Sequence, residues 1–198
     1  MANYVVMVRF DETTDEIILR LQDKLAANGY KKAVNEWPPH ITIAAYEGAD
    51  EQALLQWTEE YAAHQHSFKV GLFSLSVLPP GGEHTDTAVL CLNPSHSKKL
   101  VDFYYGFHEK YEEYCTGIGW YNSIRHGNPV MHSTIGIFDV TTMQKALEII
   151  FAEDIFGETK ITALELYTYP MLLIKRFELK SEERGMKNEH KRHQDNRY

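Results

Sequence analysis

Cysteine is nearly missing from this sequence: Cys91 and Cys115 are the two in 198 residues. They make no disulfide framework and lack metal-ligand spacing, so a reducing, cytoplasmic setting is expected. Long apolar runs are missing as well. Nothing reaches the roughly 18–20 consecutive apolar residues of a membrane-crossing helix. The opening MANYVVMVRFDETT also lacks the basic, apolar and small-residue succession of a secretory signal. No membrane association is expected. Basic residues are outnumbered, 20 Lys and Arg against 28 Asp and Glu, giving a net charge of −8 with histidines neutral. That balance argues against long duplex nucleic acid, whose binding depends on many cationic contacts to phosphate. A short nucleotide held by a few local groups remains compatible with it.

What is present is an ordinary folding composition, 43% hydrophobic and 24% charged, in a chain long enough to bury a core. Tyr4–Phe10 predicts a buried strand. Thr13-Thr14-Asp15-Glu16 fits a capping box, followed by Ile17, Ile18, Leu21 and Leu25 on one helical face and a stop at Asn28-Gly29. Residues 30–39, with Lys31, Lys32 and Trp37, predict a loop. Asp50 predicts the cap of a second helix with Leu54, Trp57 and Tyr61 inward, and Phe68–Leu78 predicts a long strand. Pro79-Pro80-Gly81-Gly82 lacks the lysine and following helix of a phosphate loop and reads as a turn.

The order then repeats. A strand at Ala88–Leu92 leads to a helix from Ser97 to Tyr114, whose aromatic stripe of Phe103, Tyr104, Phe107 and Tyr111 reads as core. A long loop, Cys115–Val130, leads to a strand at His132–Phe138. A capping box at Thr141-Thr142-Met143-Gln144 opens another helix, and strands Lys160–Tyr169 and Leu172–Leu179 follow around a turn at Pro170. Residues 181–198 are polar with mixed charge and predict a disordered tail, in which Lys187, Lys191, Arg192 and Arg197 solubilise the end. His64-Gln65-His66 falls at a helix end and reads as a solvated pair rather than a chelate.

The two halves therefore match element by element, and His40 precedes Phe68 by nearly the same interval as His132 precedes Ile161. An approximate duplication follows: one α+β domain over residues 1–180, with pseudo-symmetric lobes of about 1–80 and 81–180. Antiparallel-rich sheets would line a central groove with helices outside.

Each half carries a histidine two positions before a threonine, His40-Ile41-Thr42 and His132-Ser133-Thr134. Residues i and i+2 of a strand share a face, so each imidazole stands beside a hydroxyl. Two such pairs facing one another would supply an acid, a base and hydrogen-bond donors for a phosphate ester. Two H-x-T tripeptides about 90 residues apart, the first preceded by Pro38-Pro39, in a duplicated α/β chain resemble the two-histidine phosphoesterases. That superfamily includes the bacterial and archaeal 2′-5′ RNA ligase proteins and cyclic nucleotide phosphodiesterases.

The resemblance covers residues 3 to about 180 and implies a metal-independent enzyme without a cofactor. It would open 2′,3′-cyclic phosphates or act on 2′-5′-linked nucleotides, with ligase-type activity in reverse. It implies His40 as the acid serving the 3′ oxygen, His132 as the base, and Thr42 and Thr134 as donors to the phosphate oxygens. Nucleotides or short RNA ends are the expected substrates, and a monomer is expected. Tyr46, after the first motif, either contacts phosphate or base or packs. In the 115–130 loop Arg125 is a candidate phosphate ligand, and Trp120 and Tyr121 are candidate stacking surfaces for a base. Members of the family often carry a basic residue after the second motif, where this chain has Ile137-Phe138. Two other readings stay open: a nucleotide- or RNA-end-binding protein with little turnover, and a cyclic phosphodiesterase for a non-RNA metabolite.

Overall fold

Alternation along the first strand decides which side of the sheet becomes core. In β1 (Asn3–Phe10), Tyr4, Val6, Val8 and Phe10 enter the large apolar cluster, while Val5 and Met7 join a separate small cluster with Ala45 and Tyr167. The computed structural model describes residues 2–32, 37–79, 86–127, 129–170 and 172–181. The Pro80-Gly81-Gly82 part of the expected turn and residues 182–198 of the expected tail lie outside them.

After β1 come α1 (Glu12–Ala27), β2 (Lys31–Lys32), β3 (His40–Glu47), α2 (Glu51–Ala63), β4 (Phe68–Leu78), β5 (Thr87–Pro94) and α3 (Lys98–Phe107). β6 (Ser133–Asp139), α4 (Met143–Phe151), β7 (Gly157–Thr168) and β8 (Leu172–Glu178) complete the order. Eight strands form one sheet in the order β2-β6-β5-β4-β7-β1-β3, with β8 added beside β7, and every pairing is antiparallel. The mixed helix and antiparallel-sheet class is therefore the expected one. The triplet β3-β1-β7 is echoed by β6-β5-β4, and the two join where β4 pairs with β7. Each long strand thus pairs with the opening strand of the other half. Buried side chains of all four helices, including Leu21, Leu54, Phe103 and Ile150, enter the same large core. No helix among the described residues is long and apolar enough to cross a membrane.

Local chemistry corrects several element ends. Asp11, not the expected threonine, caps α1: its Oδ1 accepts from the Thr14 N–H at 2.9 Å while Oδ2 accepts from Lys160 N at 2.9 Å. An acceptor two residues earlier, already fixed by β7, displaces the predicted capping box. Helix α3 stops at Phe107, with His108 as its C-terminal cap, instead of running to Tyr114, and Tyr111 beyond it takes a left-handed φ of 64° through which no helix continues. The Thr142 side chain caps nothing at α4; Asp139 instead accepts from Thr141 N at 2.7 Å and caps a short 3-10 turn before it. Lys31 and Lys32, expected in a loop, pair with Ile137 and Gly136 of β6. The 115–130 segment contains one 3-10 piece, Gly117–Asn122, which packs along β3, and a shorter one, Glu112–Tyr114, precedes it.

Gly119 marks how closely that segment approaches. A Cβ there would overlap the carbonyl oxygen of Ala45, a backbone atom of β3 that cannot swing aside. Gly119→Ala is expected to lose about 1–3 kcal/mol of stability through overpacking. Urea unfolding reads this directly, and an unchanged midpoint would show that the segment does not rest on β3.

Candidate active site

The local sequence before each histidine fixes its ring. The His40 Nδ1 lies 2.7 Å from the Pro38 carbonyl oxygen, and the His132 Nδ1 lies 2.7 Å from the Val130 carbonyl oxygen. A carbonyl only accepts, so each Nδ1 carries a hydrogen and donates it, which leaves Nε2 as the nitrogen free for chemistry. The same contact, from residue i to the carbonyl of i−2, occurs in both halves.

A β-bulge follows each motif. Met7 pairs with Thr42 but Val6 with Ala44, so Ile43 is the extra residue in β3. Cys91 pairs with Thr134 but Leu90 with Gly136, so Ile135 is the extra residue in β6. A bulge reverses the inside–outside alternation beyond it. His40 and Thr42 therefore stand on one face, and Ala45 continues that face. Tyr46, which strict alternation would place beside them, turns into the core and is 0% exposed. Its expected contact with substrate is replaced by packing.

His40, Thr42, His132 and Thr134 line a single groove of ≈ 330 Å³. Its walls are Trp37, Pro38, Val89, Ile137, Tyr169 and Pro170, together with Gln22 of α1, which donates to the Thr134 carbonyl at 3.3 Å. Depressions of similar size, ≈ 360 Å³ around Tyr30 and ≈ 390 Å³ beside Trp57, contain none of these four residues. Trp37 has its ring centroid 5.1 Å from that of His40 and stacks at 6.5 Å on Tyr167, while its Nε1 donates to the Pro170 carbonyl at 2.9 Å. Sequence reasoning missed Trp37, Gln22 and Tyr169 as groove residues; only Trp37, three residues before the first motif, offered a signal.

The two rings sit in different electrostatic surroundings. Burial holds His40 down to about 4, reinforced by the nearby His132 and Arg9 charges and opposed by the Pro38 carbonyl and Glu165. His40 is therefore neutral at pH 7 in the free protein, although one edge of the ring meets the groove. A buried ion network lies behind it. Arg9, opposite His40 in the β1–β3 ladder, donates from Nη1 to both Glu165 oxygens at 3.1 and 3.0 Å and also pairs with Asp15. Burial lifts the Asp15 carboxyl to about 6 against the pull of Arg9.

Arg125, Trp120 and Tyr121 fall outside the groove lining. Trp120 and Tyr121 are 42% and 66% exposed and pack edge to face at 5.2 Å. The backbone N–H of the exposed Arg125 donates to Glu112 Oε1 at 2.8 Å. The fold also gathers a group that the sequence spacing did not reveal: ligand atoms of His108, Glu112 and Cys115 lie within 4.8 Å of one another. Hydrogen bonds occupy it. Nε2 of His108 bonds the Ile43 carbonyl at 2.9 Å, and Nδ1 faces Glu112 Oε2 at 2.5 Å. The cluster thus anchors the 108–125 segment to the bulge residue that follows Thr42.

A sheet with two matching H-x-T strands, whose histidines enter one groove, is the arrangement of the two-histidine phosphoesterases. The chain belongs to the 2′-5′ RNA ligase superfamily, whose family model matches residues 10–170. Among solved structures it is similar to TT0787 of Thermus thermophilus (15% identity, TM-score 0.56, covering 91% of this chain and 99% of that one). It is similar also to Escherichia coli LigT complexed with 3′-AMP (12% identity, TM-score 0.53, 90% and 97% covered). Kluyveromyces marxianus Usb1 with uridine monophosphate is a third (12% identity, TM-score 0.50, 90% and 98% covered). No curated protein matches the sequence.

Proposed function

We propose that the protein is a phosphodiesterase that opens 2′,3′-cyclic phosphates at nucleotides or RNA ends, with His40, His132, Thr42 and Thr134 as its catalytic residues. One observation carries this reading: two histidines, each with Nδ1 committed to a backbone carbonyl and each beside a threonine, line the same groove. His132 Nε2 takes a proton from water as the water oxygen bonds to phosphorus. His40 Nε2 gives a proton to the ribose 3′ oxygen as the P–O3′ bond breaks, leaving a 2′-phosphate. The threonine hydroxyls donate to the non-bridging oxygens as charge builds on them. His40 is neutral in the empty groove, and the anionic phosphate supplies the field that draws the required proton onto it. With a ribose 5′ hydroxyl in place of water the same step joins two ends, its oxygen bonding to phosphorus as the P–O3′ bond breaks to leave a 2′-5′ linkage, and cleavage of that linkage by the reverse step exchanges the two roles. The nucleotides in the LigT and Usb1 complexes support a nucleotide substrate here.

A second reading is favoured by the groove lining, which contains no lysine or arginine among the described residues and is apolar at Trp37, Val89 and Ile137. A cyclic phosphate on a small non-RNA metabolite fits such walls. One assay separates the readings: the protein in EDTA with 2′,3′-cyclic mononucleotides, 2′-5′ dinucleotides and a sugar cyclic phosphate. Nucleoside 2′-phosphate as the product, at a rate unaffected by EDTA, is the expected result. Binding of these compounds without turnover would sink the enzymatic reading.

A further inference from the structure

The two halves hold their histidines through equivalent contacts made by unlike residues. Arg9 lies two positions beyond Met7, the partner of Thr42, and its Nε donates to the Pro39 carbonyl at 3.0 Å. Asn93 lies two positions beyond Cys91, the partner of Thr134, and its Nδ2 donates to the Met131 carbonyl at 3.3 Å. Pro39 and Met131 are the residues immediately before the two histidines. In both halves, therefore, the preceding carbonyl is gripped from the neighbouring strand, while the carbonyl one residue earlier takes the Nδ1 hydrogen.

The surroundings of the two gripping residues differ. Arg9, 8% exposed, is itself held by Glu165, 2% exposed, and by Asp15. Glu165 also accepts from Arg176 Nη1 at 3.0 Å and from the Tyr167 hydroxyl at 2.7 Å. A guanidinium fork clamped in this way cannot rotate, so its Nε has one direction to offer Pro39. Behind His132 the gripping group is the neutral Asn93 amide. Asn93 Oδ1, Ser76 Oγ and Ser133 Oγ are buried there with no hydrogen-bond partner among the described residues.

We infer that Arg9, clamped by Glu165, is the positioning residue for His40, and that this one-sided ion network makes the two otherwise equivalent histidines unequal. The inference deepens the proposed reaction and rests on His40 as one of its proton carriers. The network acts twice. It fixes the Pro38–Pro39–His40 backbone that sets the ring direction, and it places a cation and an anion in the ring's field. Charged and titratable groups facing His40 are Arg9 from β1, Glu165 and Tyr167 from β7, Asp15 from α1, Arg176 from β8, His132 across the groove and Tyr169 at its rim. Arg9 opposes a proton on the ring and Glu165 favours one.

The test follows the ring C–H signals of His40 and His132 by NMR against pH, together with kcat and KM on a 2′,3′-cyclic mononucleotide. In Arg9→Gln the His40 midpoint should rise and kcat should fall roughly 10–100-fold at nearly unchanged KM, as misplacement of an oriented group predicts. In Glu165→Gln, which keeps a hydrogen-bonding side chain should Arg9→Gln fail to fold, the His40 midpoint should fall and that of His132 stay. Arg9→Lys should leave the midpoint near wild type and still lose kcat, because the charge remains and the fork does not. Asn93→Ala should disturb His132 and spare His40. The inference is overturned if the His40 midpoint is unmoved in both Glu165→Gln and the double variant Arg9→Lys with Glu165→Gln, or if Arg9→Lys matches wild type in kcat. Should no substrate be turned over by the wild type, the proposed reaction fails, while the NMR titrations still decide whether the network governs His40.

Discussion

His40→Ala and His132→Ala are each expected to lower kcat on a 2′,3′-cyclic nucleotide by roughly 10²–10⁴-fold, the usual contribution of a positioned proton carrier. The fold should survive, because among the described residues the only hydrogen bond that either ring makes is to a carbonyl two residues earlier. The circular dichroism spectrum and the unfolding transition check that point. Combining the substitutions should cost far less than the product of the single effects, since the two residues serve one proton-transfer cycle and neither works alone. Substantial turnover in either purified variant would remove that histidine from the mechanism. Loss in one variant alone would leave a single-histidine site and make the duplication irrelevant to the chemistry.

Glu165→Ala should give the largest loss of stability. Its carboxylate is where Arg9, Arg176 and the Tyr167 hydroxyl converge, and its side chain is 3% exposed. Removing one partner of a buried pair leaves the other charge without compensation, at about 3–5 kcal/mol. For a chain of this size that corresponds to a fall in Tm on the order of 6–20 °C. Asp102→Ala is the natural control: its pair with Lys98 has side chains 57% and 87% exposed and should leave the midpoint in place. Equal, small effects from the two variants would mean that the network behind His40 is solvated and exerts no hold on the strand.

The local parts of this architecture were legible in the sequence. His40-x-Thr42 and His132-x-Thr134 announce themselves because residues two apart on a strand share a face whatever lies around them. The long strand Phe68–Leu78 and the cap at Asp50 likewise depend on neighbouring residues only. What was hidden depends on partners distant in the chain. The bulges at Ile43 and Ile135 exist only in the register with β1 and β5, so Tyr46 could not be assigned to the core from alternation. Arg9 and Glu165 meet across 156 positions, and no spacing rule joins them. The exchange of long strands between the halves is equally silent, because β4 and β7 read as strands wherever they pair. Tyr111 gave no warning of its left-handed backbone, a conformation that tyrosine does not favour by residue type.

The claim beneath all of this is that two histidines from two halves of the chain bracket one phosphate. A crystal structure of the protein with a nucleoside 2′-monophosphate tests it most directly. The account predicts phosphate oxygens within hydrogen-bond reach, about 2.6–3.2 Å, of both Nε2 atoms, with the hydroxyls of Thr42 and Thr134 on the remaining oxygens. A phosphate bound to one histidine alone, or seated outside the groove, would contradict it.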